Sequence, residues 1–136
     1  MSIGESHGSR LEQALAAEPQ IVYAFAADSD GKILAEAGDP AALPHKDVVN
    51  VCKRPEVIQS RYAEIQEYKR TDPRMVPRML AQGQTTGVID SPREGLVVSA
   101  FGTMPRESYD GTPQERVAWI SAFRKIAKAC ISAAYA

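Results

Sequence analysis

The sequence predicts an α/β fold of the α+β kind, a central antiparallel sheet flanked by helices, and three observations carry that prediction. Residues 20–38 read as a β-hairpin, residues 85–103 as a second pair of strands, and residues 113–136 as one long amphipathic helix with an apolar face fit to cover a sheet. With 136 residues, 44% of them hydrophobic and 24% charged, the chain has the size of one domain that buries a core without disulfide or metal staples. Residues 1–8 are expected to form a flexible tail and residues 9–136 a single domain.

Ser9-Arg10-Leu11-Glu12 has the spacing of a capping box, in which hydroxyl and carboxylate satisfy the free N–H groups of a helix start. A short helix is therefore expected over Arg10–Ala17, ending ahead of Pro19. Its apolar residues, Leu11, Ala14 and Leu15, suit a flap lying on the rest of the fold. The hairpin follows. Its first arm, Ile21–Ala27, is apolar with aromatics at alternate positions, and its second arm is Lys32–Gly38. Between them Asp28-Ser29-Asp30-Gly31 supplies the positive φ that right-twisted hairpin connections need.

A loop through Pro44 leads to Lys46–Cys52, a short apolar run with Val48, Val49 and Val51 that periodicity alone leaves open between strand and helix. A helical turn ahead of a longer helix is the favoured reading. Pro55 suits a first helical turn, and Ile58, Tyr62 and Ile65 then fall on one stripe of a helix over Pro55–Lys69. Thr71-Asp72-Pro73 could cap a further short helix with Met75, Met79 and Leu80 as its apolar positions, limited by Pro77. Gln82-Gly83-Gln84 breaks the pattern. Thr85–Asp90 and Leu96–Thr103 then read as strands joined by the turn Ser91–Gly95, the second β-branched and nearly apolar throughout as at the centre of a sheet. Met104–Gly111 has no regular pattern. Thr112-Pro113-Gln114-Glu115 unites a capping hydroxyl, a proline at the first helical position and a glutamate at the third. The helix that follows places Trp119, Ile120, Phe123, Ile126, Ala127, Cys130, Ile131 and Ala134 on one face. Full burial of Trp119, Phe123 or Ile126 would contribute about 1.5–3 kcal/mol each.

The net charge of −1 attracts neither nucleic acid nor an anionic membrane. Charge is uneven along the chain: residues 46–80 carry Lys46, Lys53, Arg54, Arg61, Lys69, Arg70, Arg74 and Arg78, most simply the solvated side of helices. Cys52 and Cys130 lack any metal or redox spacing, no signal region opens the chain, and no apolar run approaches the roughly 20 residues of a membrane span. A cytoplasmic protein is expected.

Candidate chemistry is sparse. Asp28-Ser29-Asp30-Gly31 begins like a calcium loop, but such a loop needs glycine at its sixth position and glutamate at its twelfth, and neither is present. His7 and His45 have no nucleophile or ligand at supporting spacing. Cys52, beside Lys53 and Arg54, could be an acidified thiol, so an enzyme using Cys52 or Arg54 stands as a minor reading. Phosphate-binding loops are missing, and Tyr23, Phe25 and Phe101 lack the basic-aromatic pattern of an RNA-binding sheet. The expectation is a chain with no enzymatic activity, metal or cofactor.

The order helix, hairpin, helix, further strands and long helix, with an apolar first strand running into Asp28-Ser29-Asp30-Gly31-Lys32-Ile33-Leu34-Ala35-Glu36-Ala37-Gly38, resembles the Roadblock / dynein light chain family of the profilin-like, longin-related fold. That resemblance implies a non-enzymatic homodimer or heterodimer that serves as a scaffold and regulator of small GTPases in signalling, pairing an edge strand and the middle helix across the dimer. It would place Tyr62, Ile65, the neighbouring Arg61 and the flanking Val88 near the pairing surface, and Ile65→Asp would then split the dimer with its helices intact. The family has three strands between its middle and last helices, where the sequence shows two. The same hairpin also looks like the core of small-molecule sensor domains of the PAS and Cache types, and that alternative predicts an apolar cavity lined by Tyr23, Phe25, Phe101 and Trp119.

Overall fold

The structure is a computed structural model and describes residues 6–72 and 79–136. Among the described residues, five strands form one antiparallel sheet: β1 (Ile21–Asp28), β2 (Ile33–Gly38), β3 (Met79–Gln82), β4 (Thr85–Asp90) and β5 (Leu96–Thr103). Their order across the sheet is β2-β1-β5-β4-β3. Helices α1 (His7–Ala17), α2 (Lys46–Cys52), α3 (Pro55–Thr71), α4 (Arg106–Tyr109) and α5 (Pro113–Ala134) surround it.

The hairpin folds as its sequence directs. Asp28 Oδ1 accepts hydrogen bonds from the backbone N–H of Asp30 and Lys32, both at 3.0 Å, and Gly31 takes φ +97°. A side chain at Gly31 would lie 2.6 Å from Pro55 Cα, so the turn also seats the start of α3. The aspartate that suggested a calcium loop is thus engaged by its own turn.

β1 is buried along nearly its whole length because helices cover both faces of the sheet. Successive side chains point to opposite faces. Tyr23, Phe25 and Ala27 join Val97, Phe101, Ile58 and Ile65 in one cluster with α2 and α3. Ala24 and Ala26 join Val88, Ala100, Phe123 and Ile131 in the other, with α1 and α5. The second face is made of small residues so that α5 can come close: a Cβ at Gly102 would be 2.5 Å from Phe123 Cε1 and 2.6 Å from the Gln20 carbonyl. The capping box at Thr112 and Glu115 is formed, and α5 buries Phe123, Ala127, Ile131 and Ala134. Trp119 and Ile126 are half-buried, and Trp119 stacks on Phe123 with ring centres 5.0 Å apart.

Three elements differ from the sequence reading. The first helix starts at His7, capped by the Ser6 hydroxyl, which accepts from the Ser9 N–H at 3.2 Å. The added turn is held by a tertiary contact, His7 Nδ1 to the Tyr135 hydroxyl at 2.9 Å. Met79 and Leu80, assigned to a short helix, belong to strand β3 instead. Gly83-Gln84, read as a breaker, is a two-residue hairpin loop with φ +56° at Gly83, and it folds the chain back onto β4. This supplies the third strand between α3 and α5; Met75 and Pro77 lie outside the described residues. The connection after β5 contains the single-turn helix α4.

Candidate functional site

Among the described residues β3 is an edge strand, and hydrogen-bond parity along the hairpin shows which of its groups point outward. The Met104 N–H donates to the Gln84 carbonyl at 2.7 Å, so the even-numbered residues of β4 turn their backbone groups toward β5. Ala81 pairs with Thr86, and it therefore points its N–H and C=O away from β4, outward from the sheet. An exposed edge of this kind is a template for another strand. Beside it, Asp47, Val48 and Val51 of α2 and Ala81 and Gln82 of β3 line a groove of about 380 Å³. Val51 is 37% exposed, one of three large hydrophobic side chains so exposed among the described residues. Next to α2, the solvent side of α3 carries Ser60, Ala63 and the ion pair of Arg70 with Glu67.

The four residues expected at a pairing surface do not share one. Ile65 is 4% exposed and packs on the sheet of its own chain. Val88 is buried on the opposite face, in the α5 cluster. Tyr62 is half-buried, its hydroxyl accepting from the Gly95 N–H at 2.8 Å, which ties α3 to the β4–β5 turn. Arg61 forms an ion pair with Glu64 at 2.8 Å on the flank of α3. The open edge itself escaped the sequence reading, although Gly83-Gln84 between Met79–Gln82 and Thr85–Asp90 is a signal that could have found it.

The aromatic residues of the alternative reading are likewise separated. Tyr23, Phe25 and Phe101 pack on one another with ring centres 5.8–6.4 Å apart and are at most 1% exposed. Trp119 lies on the other side of the sheet with Phe123. The triad fills the space that a sensor cavity would need.

The Cys52 thiol is buried and pushed up to about 12, by burial first, with the nearby Arg61 charge opposing. Cys130 is raised as well, by burial and the negative charge of Glu18. Neither is an acidified nucleophile, which corrects the reading of Cys52. His45 occupies the N-cap position of α2 and donates its backbone N–H to Thr85 Oγ1 at 2.9 Å. Its ring fills the space above Gly83, where a Cβ would be 2.1 Å from Nε2.

At Glu36 a polar group of the sheet reaches the junction of α2 and α3. Glu36 of β2 accepts from Lys53 Nζ at 2.9 Å and from the hydroxyl of Tyr23. The lysine bond first and the tyrosine bond second hold the Glu36 carboxyl below the usual range, while burial and the carboxylate raise Tyr23. A carboxyl depressed in the folded state adds stability above its unfolded pKa and loses it as pH falls through the folded value. Glu36→Gln is therefore expected to lower the urea midpoint at pH 7, with the gap to the parent chain closing toward pH 3. A gap independent of pH would show that the charge of Glu36 is not what stabilises.

No family model matches the sequence, and no curated protein matches it. Solved structures do. Myxococcus xanthus MglB superposes with a TM-score of 0.52 at 8% identity, over 96% of this chain and 98% of that one. The Roadblock/LC7 domain from Streptomyces avermitilis gives 0.49 at 9% identity, over 89% and 97%. A structure described as MglB with tetrameric arrangement gives 0.49 at 17% identity, over 90% and 88%. With its hairpin, its middle helix α3, three further strands and a long last helix on the far face, the chain has the Roadblock/LC7-like fold, and the resemblance carried by residues 21–38 holds at the level of fold.

Proposed function

We propose that this chain is a non-catalytic regulatory scaffold that forms a homodimer through its β3 edges and holds a protein partner, a small GTPase, on the resulting platform. The observation that carries this reading is the outward-facing backbone of Ala81, on an edge bordered by the exposed Val51 of α2. Two such edges related by a twofold axis join their sheets antiparallel, each copy supplying the same patch. The partner class rests on the family resemblance of residues 28–38, supported by likeness of fold to Myxococcus xanthus MglB. The buried, unreactive thiol of Cys52 supports a role without covalent chemistry. Cytoplasmic signalling belongs to the same reading.

Ala81→Pro tests it. Proline removes the outward N–H and leaves the bonds to β4 in place, because the Ala81–Thr86 pair does not exchange hydrogen bonds. Light scattering is expected to give a dimer for the parent chain and a monomer for Ala81→Pro, with unchanged circular dichroism. A parent chain that is monomeric at high micromolar concentration would end the proposal, as would a proline variant that stays fully dimeric. For the partner, the expected result is that a small GTPase retained by the parent dimer is lost with the monomeric variant.

A further inference from the structure

α1 is thinly anchored, with only Leu11 and Ala14 buried among its 11 residues. It lies across β1, β2 and α5, and its first turn meets the end of the chain. There Arg10 Nη1 donates to the Ala134 carbonyl at 2.5 Å, one of the carbonyls that a helix end leaves without an intrahelical partner. Next to it Tyr135 is 6% exposed. Its ring has the Arg10 guanidinium 5.3 Å from its centre and that of Arg93, from the β4–β5 turn, at 5.2 Å. Its hydroxyl lies 2.9 Å from His7 Nδ1. One aromatic ring thus gathers three pieces of chain that are distant in sequence: the start of α1, the β4–β5 turn and the end of α5. Cation–π contacts strengthen as the guanidinium group is desolvated.

We propose that Tyr135 is the pin of a clasp, and that α1 is a strap which opens as a unit when the pin is withdrawn. Beside the strap runs a groove in which Gln13, Ala14 and Ala17 of α1 face Ala129, Cys130 and Ala133 of α5. Helices held by few buried contacts open below the free energy of global unfolding, and here the polar clasp substitutes for the apolar anchor that α1 lacks. The strap sits over the β1–β2 side of the sheet, at the far end from β3. Its opening is therefore independent of the proposed dimer edge.

The chain's own two thiols report on it. Cys130 lies half-buried in the groove that α1 walls, whereas Cys52 is 1% exposed beneath the other face of the sheet. In the full chain, Tyr135→Ala is expected to speed maleimide labelling of Cys130 about tenfold or more and leave Cys52 unchanged, since two cation–π contacts and a hydrogen bond are lost. Tyr135→Phe, which keeps the ring between the guanidinium groups, is expected to give a smaller rise. Should Tyr135→Ala lose its fold, Arg10→Met decides the matter, because it removes the cation and keeps an unbranched apolar stem. Selective acceleration at Cys130 supports the clasp. Unchanged labelling of Cys130 overturns it, and so does a rise shared equally by both thiols in Arg10→Met, because α1 would then not open separately.

Discussion

Ile65→Asp is expected to unfold the chain at neutral pH, with loss of the far-ultraviolet helical signal, instead of yielding folded monomers from a dimer. Ile65 is 4% exposed and is one of only two buried residues of α3, the other being Ile58. Truncating a buried aliphatic side chain of this size costs about 2–5 kcal/mol, and a carboxylate in the same place adds several more for desolvation. The sum reaches the whole stability of a small domain, about 5–15 kcal/mol. The cluster that Ile65 joins holds Tyr23, Phe25, Val97 and Phe101, an apolar setting for a carboxylate. Ala63, on the exposed side of the same helix, is the proper probe of an assembly: Ala63→Asp is expected to leave the urea midpoint within about 0.5 kcal/mol of the parent. A fully helical Ile65→Asp variant with an unaltered midpoint would show that α3 does not pack on the sheet.

Gly38→Ala is expected to be nearly as damaging, and Gly95→Ala is its internal control. Both glycines have positive φ, +88° at Gly38 and +80° at Gly95, so alanine suffers a similar backbone penalty of about 1–2 kcal/mol at each. They differ in their surroundings. A Cβ at Gly38 would lie 2.2 Å from the Val22 carbonyl and 2.7 Å from Leu15 Cδ2, whereas at Gly95 nothing lies within 4 Å. The carbonyl belongs to the neighbouring β1 strand and cannot swing aside as a side chain can. The alanine must push β2 away from β1 and α1 off β2, for a total of about 3 kcal/mol or more. Urea unfolding of the two variants separates the terms, because the difference between them is the steric part. Equal losses would show that β2 does not approach β1 as closely as the register Tyr23 to Gly38 requires.

How much of this was legible beforehand follows from the range of the forces involved. The turn at Asp28–Gly31 and the start of α5 at Thr112–Glu115 are closed by partners within four residues, so short sequence windows contain all the physics. β3 is a contrary case. Met79 and Leu80 suit a helix or a strand equally by their spacing, and the choice is made by pairing with Val88 and Gly87 of β4. The site suffered most. Ile65 and Tyr62 share a helical stripe, which correctly marked an apolar face, but an amphipathic pattern does not say whether that face meets its own sheet or a partner's.

The sequence by itself determined the hairpin, the amphipathic closing helix, the alternation of aromatic and small residues along β1, and through these the fold class. The tertiary structure decided that β1 lies between β2 and β5, that the aromatic face meets α3 while the alanine face meets α5, and that β3 is left as an open edge. Local hydrogen bonds and side-chain periodicity act over a few residues and can be read along the chain. Strand order and the face that each helix covers depend on which apolar surfaces exclude water from one another across the whole domain, and on clashes such as that at Gly102 which only the folded chain brings about.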